Sequence, residues 1–325
     1  MALAGVVLCA GLGTRLRPLT GLLPKPAVPL CQVPLVRYAL GLLAGAGIRR
    51  VVVNVHHLPE AMAAAAGAAA AQLGLDLAIS REPVIAGTGG ALREAAPLLA
   101  GAEAVVVLND DVLFDADLRA MMGAHRASGA LATMALLPMP PGARYAAVEI
   151  DEGGRVRRIA GRYGPGGAGL TPWHFPGLSV LSPGLVEGIP AAPFECDIHR
   201  DVYPPLLARG LVRGVITQGA WSDLGTPASY LAANLAVAAG RVDLAGFGLP
   251  PPRRIAAGAL VDPGARVGDE VIVGEGCVVP AGARVDRAVL WPGTRLAEGE
   301  ALSDAVAAGE LRVAAGGTAD TGSAR

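Results

Sequence analysis

The sequence of 325 residues predicts two structural units, a mixed, mainly parallel α/β sheet followed by a short parallel β-helix. Three observations lead to this prediction. Short valine-rich runs alternate with helical patterns up to about residue 150, a proline-rich segment follows the last helical pattern, and a six-residue repeat of apolar side chains comes after it. The length agrees, because domains usually contain about 100 to 200 residues.

Composition excludes several classes of protein. The chain is 52% hydrophobic but only 4% aromatic, so we expect a folded core built from Ala, Val and Leu rather than disorder. The net charge is −1 and no long basic run occurs, which argues against nucleic-acid binding and favours small-molecule partners. The four cysteines form no CxxC pair, so neither a zinc site nor a disulfide framework is indicated, and a cytoplasmic location is expected. The Ala-rich residues 61–71 are expected to form a soluble helix, with no membrane partner.

The first unit is predicted from its apolar runs. Compact, β-branched runs are typical of strands buried on both faces of a parallel sheet, and crossover helices fit between them. The expected strands are 6–8, 51–53, 105–108 and 178–181, and the expected helices are 34–46, 59–73, 91–99 and 227–239. This alternation indicates an α/β sheet of the nucleotide-binding type.

The second unit is predicted from a change of period. Six apolar side chains follow one another at intervals of six residues: Val261, Val267, Val273, Val279, Val285 and Trp291. One such side chain per hexapeptide is typical of a parallel β-helix, where they stack in a column, and separate strands with Gly turns are the alternative. About three coils are expected, which favours an interaction or capping module over an independent enzyme.

The prolines of residues 244–254 favour an extended linker without helix. The predicted organisation is a first domain at 1–243, the linker, the β-helix at 255–313 and a flexible tail at 314–325. The terminal coil of a β-helix exposes backbone edges, so a homo-oligomer contact is expected there unless a capping residue closes it.

The most informative segment runs from Leu8 to Pro26 and begins where the first strand ends, at the ligand-binding edge of an open α/β sheet. Gly11 and Gly13 allow close approach of the backbone, so that N–H groups can point at phosphate oxygens. Arg15 and Lys25 add positive charge. A Gly-x-Gly pair alone is a weak signal, because any tight turn between a strand and a helix uses one.

Lys25 is the only lysine in the chain, against 26 arginines. A lysine retained between two prolines predicts a position that needs a compact ammonium group and not a planar guanidinium. Chance survival is the alternative.

Acidic residues follow the third predicted strand and precede the last predicted helix. Mg2+ bound with a nucleotide typically takes one or two carboxylates together with phosphate oxygens, so one Asp from each segment would suffice. For Asp110 itself, a helix N-cap or turn residue is the preferred interpretation. Residues 87–90 form either a bare helix entry or a wall against a base and ribose.

With these residues in place, the chain resembles the sugar-1-phosphate nucleotidylyltransferases over about residues 3–240. The resemblance is carried by residues 10–20 with 24–26, and supported by residues 87–92, 109–111, 175–183 and 221–227. Within that family the chain is most similar to bacterial mannose-1-phosphate guanylyltransferase-like proteins. The resemblance implies a Rossmann-like sheet of the nucleotide-diphospho-sugar transferase type, and the C-terminal part looks like the left-handed β-helix that many members carry.

The resemblance also implies a reaction and a set of site residues. A sugar-1-phosphate oxygen attacks the α-phosphorus of a nucleoside triphosphate and releases pyrophosphate, a reaction catalysed mainly by positioning and charge neutralisation. Arg15 would hold the leaving pyrophosphate and Lys25 the phosphates at the reacting centre. The implied ligands of the Mg2+ cofactor are Asp111 and Asp223. The implied nucleotide-binding residues are Leu8, Ala10, Gly11, Gly13, Thr14, Glu82, Gly87, Thr88 and Gly89, and the implied sugar-phosphate residues are Ala146 and Arg162.

The chain departs from the family pattern at three places. Residues 109–111 read Asn-Asp-Asp where Asn-Gly-Asp is common, so Asp111 is taken as the metal ligand by position. Residues 159–162 read Ile-Ala-Gly-Arg where Glu-Lys-Pro is common, which leaves Arg162 as the substitute for the lysine. Ala146 stands where a glycine often lines the sugar pocket.

The favoured function is guanylyl transfer from GTP to mannose 1-phosphate, since the Glu82 carboxylate could accept both N–H donors of a guanine edge. The alternatives are an N-acetylmuramate-1-phosphate uridylyltransferase, a heptose-1-phosphate guanylyltransferase and a non-catalytic regulatory subunit that binds sugar nucleotides. The presence of all four charged site residues favours an enzyme over a regulatory subunit. A dinucleotide dehydrogenase is disfavoured because Leu16 occupies the place of the third glycine of its Gly-x-Gly-x-x-Gly motif.

Overall fold

The computed structural model describes residues 2–142, 145–191 and 193–315. The strands of the first unit are β1 Leu3–Leu8, β2 Pro29–Leu30, β3 Val33–Pro34, β4 Arg50–Val55, β5 Asp76–Arg81, β6 Ala104–Asn109, β7 Val112–Phe114, β8 Ala132–Leu136, β9 Val148–Ile150, β10 Val156–Ile159, β11 Thr171–Trp173, β12 Leu178–Leu181, β13 Val212–Ile216 and β14 Trp221–Asp223. Its helices are α1 Leu35–Gly45, α2 Pro59–Leu73, α3 Gly87–Ala95, α4 Leu118–Ser128, α5 Pro183–Glu187, α6 Tyr203–Ala208 and α7 Pro227–Ala238. The C-terminal strands are β15 Leu260–Val261, β16 Arg266–Val267, β17 Val271–Val273, β18 Val278–Val279, β19 Arg284–Leu290, β20 Ala301–Ala308 and β21 Leu311–Ala314.

The central sheet has seven strands in the order β13-β8-β12-β6-β1-β4-β5. All neighbouring pairs are parallel except those of β12, which runs antiparallel to both β6 and β8. The predicted mixed, mainly parallel sheet is therefore confirmed. The valine-rich runs form β1, β4 and β6 in its middle, where apolar side chains are covered on both faces.

Helix α2 is formed by a sequence that consists mostly of alanine. Pro59 occupies its first turn, and Gly74 ends it in a left-handed conformation, with Leu75 N–H donating to the Ala70 carbonyl. The helix buries Met62 together with Ala66, Ala69 and Ala70, and Met62 and Ala66 are fully buried. The prediction of a helix at 59–73 is confirmed. Among the described residues, no helix is both long and apolar enough to cross a bilayer.

The segment predicted as an extended linker is only partly extended. Residues Ala245–Phe247 form a 3₁₀ turn, and the Phe247 ring is buried against Tyr38 of α1 with 5.4 Å between ring centroids. The Arg37 guanidinium donates hydrogen bonds to the carbonyls of Phe247 and Gly248. The expectation of no helix is wrong for this half, because burial of one aromatic ring outweighs the extended preference of the prolines that follow.

The C-terminal strands pair in parallel at an offset of 17 or 18 residues, as in Leu260 with Val278 and Val271 with Ala288. The pair of β20 and β21 is antiparallel and ends this unit. Of the predicted apolar series, Val273, Val279 and Val285 are buried in one C-terminal cluster.

The last member of the series, Trp291, leaves that cluster. Its ring packs into the core of the first unit, together with Val289 and with Leu235 of α7. Its indole N–H donates to the Tyr230 hydroxyl at 3.0 Å. The loss of the six-residue phase at Trp291 therefore marks the contact between the C-terminal strands and α7.

We predict opposite effects of two alanine substitutions at helical glycines. A Cβ at Gly41 would lie 2.1 Å from the Phe247 carbonyl oxygen, whereas a Cβ at Gly67 meets nothing within 4 Å. Gly41→Ala should lower the free energy of unfolding by about 1 to 3 kcal/mol, and the matched Gly67→Ala should raise it by about 0.5 to 1 kcal/mol. Urea denaturation measures both, and stabilisation by Gly41→Ala would contradict the packing of residues 245–247 on α1.

Candidate active site

The predicted site residues converge at the carboxyl end of β1 and β6, where two cavities adjoin. The strand-end cavity, of about 230 Å³, is lined by Leu8, Ala10, Gly11, Asn54, Glu82, Ile85, Gly87, Thr88, Ala91, Asn109, Asp110 and Asp111. The charged cavity, of about 160 Å³, is lined by Gly11, Gly13, Thr14, Arg15, Lys25, Asp110, Asp111 and Gly225. Gly11, Asp110 and Asp111 line both, so one molecule can extend from one cavity into the other.

The loop after β1 is folded back on itself at Gly13. This glycine has a φ of 59°, and a Cβ there would lie 2.8 Å from the Thr20 methyl group and 3.2 Å from the Lys25 Cβ. The Thr20 hydroxyl donates to the Gly13 carbonyl at 2.9 Å, and the His57 Nε2 lies 2.9 Å from the Thr20 carbonyl. Glycine at position 13 therefore lets Lys25 approach the backbone of this loop.

Two ion pairs stand side by side in this site. The Lys25 Nζ lies 3.4 Å from Asp111 Oδ2, and the Arg15 Nη1 lies 3.7 Å from Asp223 Oδ2. The Lys25 side chain is only 8% exposed, whereas the Arg15 side chain is 58% exposed. The structure thus brings together all four charged residues that the sequence singled out, with the lysine inside and the arginine at the rim.

The two carboxylates are placed by the pairing of β7 with β14. Asp223 pairs with Val112, and the Leu224 N–H donates to the Asp111 carbonyl at 3.1 Å. Asp223 Oδ1 is buried and has no hydrogen-bond partner among the residues that the structure describes. A buried anionic oxygen without a donor is costly, so this atom suits a cation or a ligand donor.

The described residues contain no group of three or more His, Cys, Asp or Glu side chains that could hold a metal ion alone. Two carboxylates can still hold a divalent ion that takes its remaining ligands from substrate phosphates and water. Asp111 and Asp223 match that arrangement, because Asp111 lines the charged cavity and Asp223 pairs with Arg15, which lines the same cavity.

Asp110 differs from its expected role. No helix begins at this residue, because the chain turns directly from β6 into β7, so the N-cap interpretation is wrong and only the turn remains. Burial and the neighbouring Asp111 raise the pKa of the Asp110 carboxyl to about 7, although Lys25 opposes the shift. The side chain lines both cavities and is the third carboxyl group of the site.

Glu82 is buried and already holds protein donors. Its Oε1 accepts from the Asn54 amide at 2.7 Å and its Oε2 from the Ala86 N–H at 3.0 Å. Asn54 Oδ1 in turn accepts from the Cys9 N–H at 2.6 Å. The carboxylate expected to read a guanine edge therefore ties together three segments of the cavity wall.

The glycines of residues 87–90 form the first turn of α3 instead of preceding it. The N–H groups of Gly89 and Gly90 donate to the Cys196 carbonyl at 2.8 and 3.1 Å. A Cβ at Gly87 would lie 2.6 Å from that oxygen. Gly87 and Thr88 line the strand-end cavity, but Gly89 does not, because the segment around Cys196 occupies its N–H.

The two predicted sugar-phosphate residues are not brought to either cavity. Ala146 is exposed, and the exposed Arg162 guanidinium lies 4.9 Å from the centre of the Tyr163 ring. Neither residue lines the strand-end cavity or the charged cavity.

An aromatic cluster that the sequence did not predict lies beside Asp223. The rings of Tyr145, His174 and Trp221 are 4.3 to 5.4 Å apart. Burial lowers the pKa of His174 to about 4, so its ring is neutral at physiological pH. Trp221 stands two residues before Asp223 in β14, on the same face of the strand, which is the one signal that could have found it.

Comparison with known proteins identifies relatives over most of the chain. A family model described as nucleotidyl transferase matches residues 4–240. The mannose-1-phosphate guanylyltransferase of Mycobacterium tuberculosis is 32% identical over 304 residues, which cover 90% of this chain and 81% of that protein. Mannose-1-phosphate guanylyltransferase 1 of Arabidopsis thaliana is 26% identical, with 93% and 84% covered. The crystal structure of HddC from Yersinia pseudotuberculosis shares the fold, with a TM-score of 0.59 at 22% identity over 71% of this chain and 97% of that chain.

We predict that Asp110→Asn stabilises the protein at high pH in buffer that contains EDTA. A carboxyl group with a raised pKa in the folded state contributes stability below its unfolded pKa, and this contribution is lost as the pH rises through about 7. The variant should be more stable than the wild type by about 1 to 2 kcal/mol at pH 8, and the difference should disappear towards pH 4. Chemical denaturation from pH 4 to pH 8 measures it.

Asp76→Asn, at an exposed position of β5, serves as the control and should show no such pH dependence. Parallel stability curves for the wild type and Asp110→Asn would contradict the burial of the Asp110 carboxyl.

Proposed function

The chain belongs to the nucleotidyl transferase family, and from this premise we propose that it transfers the guanylyl group of GTP to mannose 1-phosphate and releases pyrophosphate. The observation that carries the proposal is that Arg15, Lys25 and Asp111 line the charged cavity, directly beside the strand-end cavity, with Asp223 paired to Arg15. The choice of substrates rests on relatives named mannose-1-phosphate guanylyltransferase from a bacterium and a plant, which this chain covers over more than four fifths of their length.

The reaction forms a bond from a sugar-phosphate oxygen to the α-phosphorus of GTP and breaks the bond to the oxygen that bridges the α- and β-phosphates. The attacking oxygen is already anionic, so no general base is required. Catalysis then consists of alignment and of stabilising negative charge at the α-phosphate. The nearly buried ammonium group of Lys25 is suited to stabilising this negative charge, because electrostatic interactions are stronger where water is excluded.

Arg15 is proposed to bind the leaving pyrophosphate. Its guanidinium stands at the rim of the charged cavity, more than half exposed, and can follow the product outwards. Its planar set of donors suits bidentate contact with phosphate oxygens. The backbone of Gly11, Gly13 and Thr14 lines the cavity between the two cations and is proposed to hold the remaining phosphate oxygens.

Asp111 and Asp223 are proposed to hold Mg2+, and the unpartnered Asp223 Oδ1 is the structural reason. The bound ion would neutralise phosphate charge. The protein's own contribution is to keep each carboxylate in contact with a cation, so that the site is close to neutral before substrates arrive. When phosphates enter, Lys25 and Arg15 can turn to them while the carboxylates turn to the ion.

The nucleoside is proposed to occupy the strand-end cavity, where Leu8, Ala10, Gly87 and Thr88 form the wall. Glu82 keeps that wall in place through Asn54 and the Ala86 N–H. On the other side of Asp223, the rings of Tyr145 and Trp221 offer an apolar surface for the sugar. Ala146 follows Tyr145 directly, and we keep the proposal of a sugar-phosphate role for it and for Arg162.

We further propose the domain organisation predicted above, with the catalytic domain at 1–243 and a left-handed β-helix at 255–313. Parallel strand pairs at an offset of 17 or 18 residues fit a coil with three sides of about six residues. The hydrogen bond of Trp291 with Tyr230 of α7 supports the packing of this unit on the proposed catalytic domain.

We predict that Lys25→Ala lowers kcat about 100- to 1,000-fold, because one group that stabilises charge in the transition state is lost. Lys25→Arg should recover little of this rate, since a planar guanidinium does not fit where the Lys25 side chain is 8% exposed. The rate of pyrophosphate release from GTP and mannose 1-phosphate with Mg2+ measures it. Arg209→Ala, which removes an exposed cation from the end of α6, is the control and should keep the full rate. Full activity of a folded Lys25→Ala protein would contradict the assignment.

We predict that Asp223→Asn raises the Mg2+ concentration for half-maximal rate by about tenfold, because a neutral amide is a poorer ligand than a carboxylate. A Mg2+ titration of the initial rate at saturating substrates measures this change. An unchanged Mg2+ midpoint with a lower maximal rate would assign Asp223 to holding Arg15 and not to holding the ion.

A further inference from the structure

We propose that Trp291 and Tyr230 are positioning residues for Lys25, through which the C-terminal unit sets the geometry of the phosphate site. The inference rests on the proposed function for the role of Lys25 itself. The connection runs from Trp291 to Tyr230 of α7, then to the hairpin of β2 and β3, which follows Lys25 in the chain. No motif in the sequence connects these residues.

The hairpin has a strained turn. Cys31 and Gln32 are its two loop residues, with φ values of 44° and 71°. Two-residue hairpins favour turns with positive φ, but glycine and asparagine are the residues that adopt it easily. A non-glycine residue in this region costs about 1 kcal/mol or more and persists where the surrounding structure fixes it. Contacts from outside the hairpin must therefore hold the turn.

These contacts come from α7, from the end of the proline-rich segment and from the C-terminal unit. The Cys31 N–H donates to Asn234 Oδ1 at 2.8 Å, and its thiol donates to the Asn234 carbonyl at 3.3 Å. The Gln32 amide donates to the carbonyls of Arg253 and Val273 at 3.0 and 3.2 Å. Each strained residue is thus bound by a part of the chain more than 200 positions away.

A chain of buried hydrogen bonds leads from the C-terminal unit to the first hairpin strand. The Trp291 indole N–H donates to the Tyr230 hydroxyl at 3.0 Å, and that hydroxyl donates to the Pro29 carbonyl. The exposed fractions of Trp291 and Tyr230 are 5% and 1%, so water does not compete for these bonds. Without the Tyr230 hydroxyl, the Pro29 carbonyl would lose its only donor in the described structure.

The hairpin is coupled to Lys25 by a short, rigid segment. Residues Lys25–Ala27 form a 3₁₀ turn, in which the Val28 N–H donates to the Lys25 carbonyl at 3.1 Å. Pro29 follows directly, and the Leu35 N–H donates back to the Val28 carbonyl at 3.0 Å. A displacement of Pro29 therefore moves the Lys25 backbone, with no flexible residue between them to absorb it. A misplacement of about 1 Å at a positioned group can cost about 100-fold in rate.

Helix α7 links this hairpin to the other half of the site. It begins two residues after Gly225, with the Thr226 hydroxyl accepting from the Ser229 N–H as its N-cap. Asp223 therefore lies four residues before the start of the helix whose fourth residue, Tyr230, binds the Pro29 carbonyl. The packing of the C-terminal unit on α7 therefore affects the positions of both the Lys25 segment and the Asp223 segment.

The single lysine allows a direct test. Protein grown with lysine labelled by ¹³C at Cε carries the label in one side chain only, that of Lys25. Trp291→Phe removes the indole N–H, and Tyr230→Phe removes the hydroxyl, while each keeps a ring in place. Both variants should move the Lys25 ¹³Cε signal in the same direction and lower kcat about tenfold. The KM values for GTP and mannose 1-phosphate should change less.

The hydrogen-bonded chain from Trp291 through Tyr230 to Pro29 is called the relay. Tyr203→Phe removes a buried tyrosine hydroxyl outside the relay and is the matched control. It should keep the wild-type signal and rate. A wild-type Lys25 signal in folded Trp291→Phe and Tyr230→Phe would overturn the relay, even if kcat fell. If Tyr230→Phe fails to fold, Trp291→Phe and Gln32→Leu test the same connection from the side of the C-terminal unit. Since the signal does not depend on turnover, shifted signals with an inactive wild type would refute the proposed function and leave the relay intact.

Discussion

The pairing of Lys25 with Asp111 and of Arg15 with Asp223 is the interaction on which the rest of the site depends. Four charges in two neighbouring pairs are tolerable because each carboxylate stands 3.4 to 3.7 Å from a cation. Asp110 adds a fifth ionisable group, and burial together with the neighbouring Asp111 raises its pKa to about 7. The fold positions these charges at one edge of the sheet. Each charge comes from the end of β6, from the pair of β7 with β14 or from the segment that follows β1.

The aromatic residues are few, and four of them lie where separate parts of the chain meet. With 4% aromatic residues, the sheet and its helices pack through Ala, Val and Leu. Tyr38 meets Phe247 where the proline-rich segment contacts α1, and Tyr230 meets Trp291 where the C-terminal unit contacts α7. A large ring buries much apolar area, and the polar group of Tyr or Trp can also form a hydrogen bond. Such residues therefore suit contacts that need both hydrophobic burial and a defined geometry.

Much of the fold could be predicted from the sequence, because buried parallel strands and crossover helices have strong local patterns. The four charged site residues were also predictable, since sheet topology brings strand ends together. What could not be predicted depends on contacts between distant segments. The occupation of the Gly89 N–H by Cys196 and the protein donors on Glu82 are of this kind. The position of Arg162 away from the cavities is another example. Arg162 is predicted because it stands near the place of the family's lysine in the sequence, and sequence position alone does not show where the loop that carries it lies.

The most direct test of the central claim is a matrix of substrates. The purified protein with Mg2+ is incubated with each of four nucleoside triphosphates against the 1-phosphates of mannose, glucose, heptose and N-acetylmuramate, and pyrophosphate and nucleotide sugar are followed together. The account predicts one dominant pair, GTP with mannose 1-phosphate, with equal amounts of the two products. Absence of pyrophosphate across the matrix, in protein that still binds GDP-mannose, would contradict it and assign the charged cavity to binding without catalysis.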